Sequence, residues 1–237
     1  MKTTYVSMFL VCVIFSCSPL KKAPSAESIA PSIAAIGKKD NSLLHTNFKQ
    51  VGEPNLRSAI ALSASAIPFN KSKFKTYQNL KTQKGEKLYV TYVDSLTIKP
   101  KYVHFEIKDK IGLKTLLNSE ENMEVRSYLT KDANCQIVSG ISIYIDEMEA
   151  DMYLRAEGIF LVTDTGMLRM QLVNGTQKQY VNLSKNEIFD YDLMGFCWGE
   201  NVYGKPQIET LNTGGNCPDG TEKNAQKLDG QYSFLKL

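Results

Sequence analysis

Two groups of Asp and Glu residues in the second half of the chain could take part in catalysis or ligand binding. The later group mixes acids with aromatic neighbours, and its candidate site residues are Glu187, Asp190, Asp192, Trp198 and Glu200. Aromatic rings stack on sugar faces, and a carboxylate pair performs the acid and base steps of glycoside hydrolysis. The pattern is compatible with a glycan-binding or glycan-hydrolysing site. The commoner interpretation is that such aromatic rings belong to a core.

The earlier group consists of Asp146, Glu147, Glu149 and Asp151. Several carboxylate oxygens that converge on one loop could hold Ca²⁺, but the glycine and the distant Glu of an EF-hand loop are missing. Strands are predicted on both sides of the group. We therefore interpret it as a charged hairpin turn, with a calcium site as the less favoured alternative.

The remaining composition argues against several classes of activity. Five Cys and two His among 237 residues are too few for a Cys/His-rich zinc module. GxSxG, Walker, GxGxxG and CxxC motifs do not occur. The net charge is only +3, and the lysine-rich stretch 71–87 is interpreted as a solvated surface, not a nucleic-acid site. We expect no cofactor, metal or nucleotide, and we favour a binding protein over an enzyme.

The N-terminus has the pattern of an export signal. Lys2 precedes an apolar run of eleven residues over 5–15, which is too short for the ~20 residues of a membrane-spanning helix. A basic start before a short apolar core is typical of a secretory signal peptide.

The run ends in Ile14, Phe15, Ser16 and Cys17, which resemble the lipobox of bacterial lipoproteins. An aliphatic residue three positions before the Cys and a small residue just before it carry the resemblance, whereas Phe15 is bulkier than the usual occupant. The resemblance implies that residues 1–16 are removed as a signal peptide and that Cys17 is acylated. Acyl chains on one residue then attach the protein to a membrane.

The residues after Cys17 bear on the compartment. Ser18 does not match the Asp that tends to mark inner-membrane retention, and Lys21 and Lys22 stand where some Bacteroidota lipoproteins carry acidic export residues. By resemblance we expect an outer-membrane lipoprotein that faces the periplasm, with the cell surface as the alternative.

An exported chain enters an oxidising compartment, in which cysteines pair. Cys197 and Cys217 lie in glycine-rich, turn-like neighbourhoods, so we predict a disulfide between them, worth roughly 3 kcal/mol. Cys135 is left as a buried thiol or as the partner of either of them.

The chain divides into four parts by composition. After the signal peptide, residues 17–68 are rich in Ala, Ser, Ile and Pro with Phe48 as their one aromatic residue, which predicts a tether. Residues 69–209 have the texture of a β domain, and residues 210–237 form a Gly/polar-rich C-terminal segment that the disulfide would hold.

The predicted domain is mainly β, an antiparallel sandwich or jelly-roll-like arrangement with one short helix over 109–118. Strands are predicted at 87–95, 101–108, 124–129, 136–145, 152–163, 167–173 and 178–183. The segment 101–108 alternates, with His104 on the polar side, and Asn174-Gly175 is typical of a hairpin turn. The closely spaced strands argue against βαβ units.

These observations favour a lipid-anchored outer-membrane or periplasmic protein that recognises a protein or glycan partner in binding or assembly. The alternative is a carboxylate-dependent glycan hydrolase or glycan-binding lipoprotein. A carboxylate pair across an aromatic-lined cleft would favour the alternative.

Overall fold

Ten strands and four α-helices are present in the computed structural model, which describes residues 30–41, 46–181 and 187–228. The strands are β1 (Ile36–Asn41), β2 (Thr46–Gly52), β3 (Ile60–Pro68), β4 (Lys101–Ile107), β5 (Gln136–Ile143), β6 (Gly158–Asp164), β7 (Met167–Asn174), β8 (Gln177–Val181), β9 (Ile188–Glu200) and β10 (Pro206–Asn212). The helices are α1 (Lys71–Gln83), α2 (Lys110–Leu117), α3 (Met123–Lys131) and α4 (Glu147–Leu154). Cys17 and the predicted signal peptide lie outside the described residues.

All strand pairs are antiparallel, and the prediction of a mainly β, antiparallel fold is confirmed. The strands join in one open sheet in the order β10-β9-β5-β4-β3-β6-β7-β8, with β1 paired to β5 and β2 paired to β1. Helices α1, α2 and α4 lie against strands of this sheet. Four α-helices occur where the sequence predicted one.

The central strands have two faces, because successive side chains of a strand point to opposite sides of the sheet. Residues in register on neighbouring strands point to the same side, so each face can be followed from strand to strand. Val103 pairs with Ile143 and Phe105 with Ile141, and these side chains are buried on what we call the first face. Tyr153 of α4 covers this face with its ring 5.1 Å from that of Phe105 in an edge-on contact. The alternate residues of the same strands define the second face, as the period of two in 101–108 predicted.

The structure corrects the boundary of the predicted tether. Residues 36–68 contribute β1, β2 and β3 to the sheet, and Ile33, Ala34 and Ala35 before them are buried. The prediction took the lack of aromatic residues as the lack of a core. It is wrong for the described residues from 30 onward because small and aliphatic side chains fill the core there.

Local signals had mixed outcomes. The helix over 109–118 is confirmed as α2, and Asp109 caps it by accepting a hydrogen bond from the Gly112 N–H at 2.8 Å. The Asn174-Gly175 hairpin is confirmed between β7 and β8, with Gly175 at φ +58°.

The strand predicted at 124–129 is wrong, because these residues form most of α3. The strand predicted at 87–95 is also wrong, because the segment pairs with no strand of the described chain. None of the described helices has the length and apolar character needed to cross a membrane.

Candidate functional site

A polar row crosses the second face at the centre of the sheet. Ser65 of β3 lies opposite His104 of β4, His104 lies opposite Ser142 of β5, and Ser142 lies opposite Asp190 of β9. Asp192 follows two residues along β9 and lies opposite Gly140. Two of the predicted glycan-site carboxylates therefore lie together in the middle of the sheet.

The imidazole of His104 links this row. Its Nδ1 lies 3.0 Å from the Ser142 hydroxyl, and its Nε2 lies 3.4 Å from the Asp192 carboxylate. A Cβ at position 140 would lie 2.9 Å from the ring, so Gly140 leaves the room that the imidazole occupies. His104 lies on the predicted polar side, but its side chain is only 15% exposed.

Helix α1 contributes the positive charge. Its Lys73 forms a half-buried ion pair with Asp190. Burial lowers the pKa of Lys73, but the hydrogen bond and the negative charge of Asp190 outweigh it, so the pKa is raised overall. We call Lys73, His104, Ser142, Asp190 and Asp192 the His104 network.

The His104 network contains a Ser, a His and an Asp, the residue types of nucleophilic hydrolases. In that mechanism the serine oxygen must reach the substrate carbonyl and pass its proton to the imidazole. Ser142 is 2% exposed in the interior of β5. The hydroxyl therefore holds the imidazole in place and is inaccessible to a substrate.

The other predicted glycan-site residues do not join this network. Glu187 is exposed just before β9, and Glu200 ends the strand, roughly 33 Å along an extended chain from Asp190. Trp198 is 1% exposed within the core, and its backbone N–H donates to the Glu222 carbonyl at 2.7 Å. The indole of Trp198 is therefore part of the core, which is the interpretation that the sequence favoured over stacking on a sugar.

The earlier acidic group lies on a helix. Asp146 caps α4 by accepting from the Glu149 N–H at 2.8 Å, Glu147 begins the helix, and Asp151 pairs with Arg155 at 2.6 Å. The charged hairpin turn predicted here is wrong, because Asp146 starts a helix. Within the described ranges, no group of three or more His, Cys, Asp or Glu side chains is placed to hold a metal ion.

An aromatic cluster, which the sequence did not predict, attaches α1 to the second face. Phe69, Tyr77, Tyr102 and Phe189 are buried together, and the rings of Phe69 and Tyr102 are 4.9 Å apart. Burial, with smaller effects of neighbouring Tyr144 and Glu187, raises the pKa of Tyr77 to about 12. This cluster sets the position of α1 and so brings Lys73 to Asp190.

The predicted disulfide is present. Cys197 of β9 bonds to Cys217, with their Cα atoms 5.6 Å apart, and it holds the segment after β10 against the sheet. Cys135 is a buried free thiol, and burial, followed by the charge of Asp132, raises the pKa of this thiol. The pairing that the sequence left open is thereby settled for these three cysteines.

A cleft of about 320 Å³ lies beside this disulfide. Its polar lining side chains are amides, a hydroxyl and two ammonium groups, from Lys39, Asn134, Gln136, Asn212, Thr213 and Lys223. Gly195, Gly214 and Gly215 expose backbone at its wall, and Asp and Glu are absent from the described residues that line it. We call it the disulfide cleft.

The lip of the disulfide cleft is fixed by local hydrogen bonds. The Asn212 carboxamide accepts from the Gly214 N–H at 2.8 Å and donates to the Asn216 carbonyl. These bonds, with the disulfide, hold the turn in one shape. The cleft can therefore offer hydrogen-bond donors and acceptors in a preformed arrangement.

Comparison with protein-family models, with curated proteins and with solved structures finds no match to this chain.

Proposed function

We propose that this chain is a lipid-anchored outer-membrane protein that faces the periplasm and binds a protein or glycan partner. The lipobox-like residues that end in Cys17 support the anchor. The disulfide cleft is the observation that carries the binding role, because it is concave, polar and held in shape by Cys197–Cys217.

The lining of the cleft defines the chemistry of its ligand. Amide side chains such as Asn134 and Gln136 both donate and accept hydrogen bonds, and Thr213 adds a hydroxyl. Lys39 and Lys223 favour neutral or negatively charged groups over cations. A sugar chain or a polar loop of a protein partner has the matching donors and acceptors.

The carboxylates favour binding over glycan hydrolysis. Asp190 is paired with Lys73 and Asp192 lies against His104, on the second face and outside the disulfide cleft. Hydrolysis needs two carboxyl groups on either side of the scissile bond within a cleft. The disulfide cleft contains neither of them.

Site-specific photocrosslinking tests the binding role. A photoreactive amino acid replaces Thr213 at the cleft or, as the matched control, Gln179 on β8, and both positions are exposed. After irradiation of whole cells and extraction in mild detergent, we expect one discrete adduct from position 213 and none from 179. Protease digestion of the adduct distinguishes a protein from a glycan. Identical adduct patterns from both positions, or no adduct from 213, would overturn the proposal.

The anchor has its own test. In the native host, Cys17→Ser is expected to move the protein to the soluble fraction when the membranes are washed in about 0.5 M salt, since the acyl chains would be lost and salt screens contacts with anionic headgroups. Cys135→Ser, which removes a different single thiol, serves as the control and should leave the protein in the membrane fraction. Retention of the Cys17→Ser protein at the wild-type level would show that Cys17 is not the anchor.

A further inference from the structure

The segment between α1 and β4 exposes an unusual amount of apolar surface. Residues 88–98 have neither helix nor strand, and we call them the apolar loop. Five of the fifteen exposed large hydrophobic residues in the described chain are here: Leu88, Tyr89, Val93, Leu96 and Ile98. Ile98 is 85% exposed and Tyr89 is 83% exposed. Isolated apolar residues on a surface are ordinary, but such a concentration marks an interaction site.

The apolar loop is held in place by its inner side chains. Val90 and Tyr92 pack on the aromatic cluster, and the Tyr92 ring stacks on Phe74 of α1 at 5.2 Å. The Lys99 ammonium lies 5.7 Å from the centre of the same ring. The exposed side chains are therefore presented outward from a fixed backbone.

The loop and helix α1 also concentrate positive charge. Residues 71–101 contain eight lysines and two carboxylates, a net charge of +6, whereas the other 20 basic and 23 acidic residues of the chain give −3. Both carboxylates are engaged, since Lys81 pairs with Glu86 at 2.6 Å and Asp94 accepts from the Tyr92 hydroxyl at 2.7 Å. The sign of this surface is thus opposite to that of the remaining chain.

The lysines bracket the apolar loop at both ends. Lys84 and Lys87 precede it, and Lys99 and Lys101 follow it. The Phe69 N–H donates to the Pro100 carbonyl at 2.9 Å, which places the start of α1, with its Lys71, next to the end of the loop. Lysines therefore flank the exposed apolar side chains at both ends of the loop.

We infer that this surface docks on an anionic lipid bilayer. The outward aliphatic and tyrosine side chains enter the boundary between headgroups and acyl chains, and the surrounding lysines interact with anionic headgroups. Single-stranded nucleic acid is bound by stacking on aromatic rings, which leaves exposed aliphatic side chains such as Leu96 and Ile98 without a role. The inference goes beyond the proposed function, because it needs neither the disulfide cleft nor the acylation of Cys17.

Vesicle co-sedimentation of the full chain carrying Cys17→Ser tests the inference. Vesicles of phosphatidylcholine alone measure the background from the N-terminal apolar run, which every variant shares. Vesicles with about 30% phosphatidylglycerol should bind at least roughly tenfold more tightly, and about 0.5 M salt should remove most of this difference.

Two pairs of matched variants locate the surface. Tyr89→Ser with Ile98→Ser should weaken binding to anionic vesicles by roughly tenfold or more. The control, Val202→Ser with Tyr203→Ser, removes side chains that are 93% and 83% exposed elsewhere, and should bind as the parent does. Lys87→Gln with Lys101→Gln should weaken binding by roughly five- to thirtyfold. Lys178→Gln with Lys227→Gln, at exposed positions, makes the same change of net charge and should have little effect.

The results of the vesicle experiments are distinguishable from those of the crosslinking experiment, because the vesicle variants change the apolar loop and the crosslinker is placed at Thr213 of the disulfide cleft. Equal losses in the loop variants and their controls would overturn the inference, as would equal binding to both kinds of vesicle. It would also be overturned if a labelled single-stranded oligonucleotide, and not the anionic vesicles, bound in a manner that depended on Lys87 and Lys101. Unchanged circular dichroism melting of the loop variants, expected because the replaced side chains are exposed, establishes that lost binding is not lost folding.

Discussion

The two faces of β3, β4 and β5 differ in content although they are made by alternate residues of the same strands. The first face is continuous hydrocarbon, with Phe105 and Ile107 at 0% exposure in the main core. The second face has the His104 network at its centre and the separate aromatic cluster beneath α1 at one end. We conclude that the first face supplies most of the stability, whereas the second face holds α1 with its charges and the apolar loop.

The largest expected effect comes from truncating one buried ring on each face. Phe105→Ala should lower the free energy of unfolding by about 3–5 kcal/mol, because it leaves a cavity in the main core against Tyr153. Phe69→Ala removes an equally buried ring from the aromatic cluster. We expect this variant to release α1 locally before global unfolding, since the cluster is separate from the main core.

Chemical denaturation with hydrogen exchange measures the difference. Phe105→Ala should lose amide protection throughout the sheet, whereas Phe69→Ala should lose it mainly in α1 while β4 and β5 stay protected. If both variants lose protection uniformly, the two faces form a single cooperative unit and the comparison fails.

The two faces were not equally predictable from the sequence. The period of two in 101–108 identified which residues of β4 lie on each face, because a strand alternates by geometry. The contents of the second face were not predictable. His104 meets Ser142 and Asp192 from 38 and 88 residues away, and the register of β5 on β9 is shifted by two irregularities that leave no sequence signal.

Two further errors have physical causes. Residues with high β-propensity, such as those at 87–95, are ones that suit a half-buried surface. Here inner residues such as Tyr92 are half-buried by packing on α1, without pairing to a strand. The Ala- and Ile-rich stretch at 33–36 has the composition of a linker, but Ala34 and Ala35 are fully buried. By contrast, the disulfide between Cys197 and Cys217 was predicted correctly, although the turn expected around Cys197 is wrong because this residue and its flanking glycines lie inside β9.

The next largest effect is expected from the buried phenols at high pH. The pKa of Tyr77 is raised from 10.0 to about 12, so the fold favours its neutral form. The corresponding stability is fully present below pH 10 and is lost as the pH rises toward 12, by about 2–3 kcal/mol. Tyr77→Phe cannot ionise and should lose correspondingly less stability over this interval in urea titrations.

Tyr153→Phe is the matched variant on the first face. The Tyr153 hydroxyl lies 3.4 Å from Glu149, whereas the Tyr77 hydroxyl is buried without a hydrogen-bond partner among the described residues. At pH 7 we expect Tyr77→Phe to be neutral or stabilising by about 1 kcal/mol, and Tyr153→Phe to be destabilising by about 0.5–1 kcal/mol. Opposite signs would sharpen the comparison, and a clear loss in Tyr77→Phe would mean that its hydroxyl has a partner after all.

The smallest effect tests whether charge as well as aromatic packing holds α1. Lys73→Met removes the half-buried partner of Asp190, and Lys110→Met removes a more exposed pair with Glu106 at 3.6 Å. We expect a loss of about 1 kcal/mol for Lys73→Met and less than about 0.5 kcal/mol for Lys110→Met, because solvent screens the second pair more strongly. The raised pKa of Lys73 means that its ion pair adds stability below pH 10.5 and that this stability is lost at higher pH. Lys110→Met still carries Lys73 and loses this contribution at high pH, so the stabilities of the two variants should converge there. Equal losses at pH 7 would mean that the aromatic cluster alone positions α1, and the ion pair with Asp190 would then be a consequence of that packing and not one of its causes.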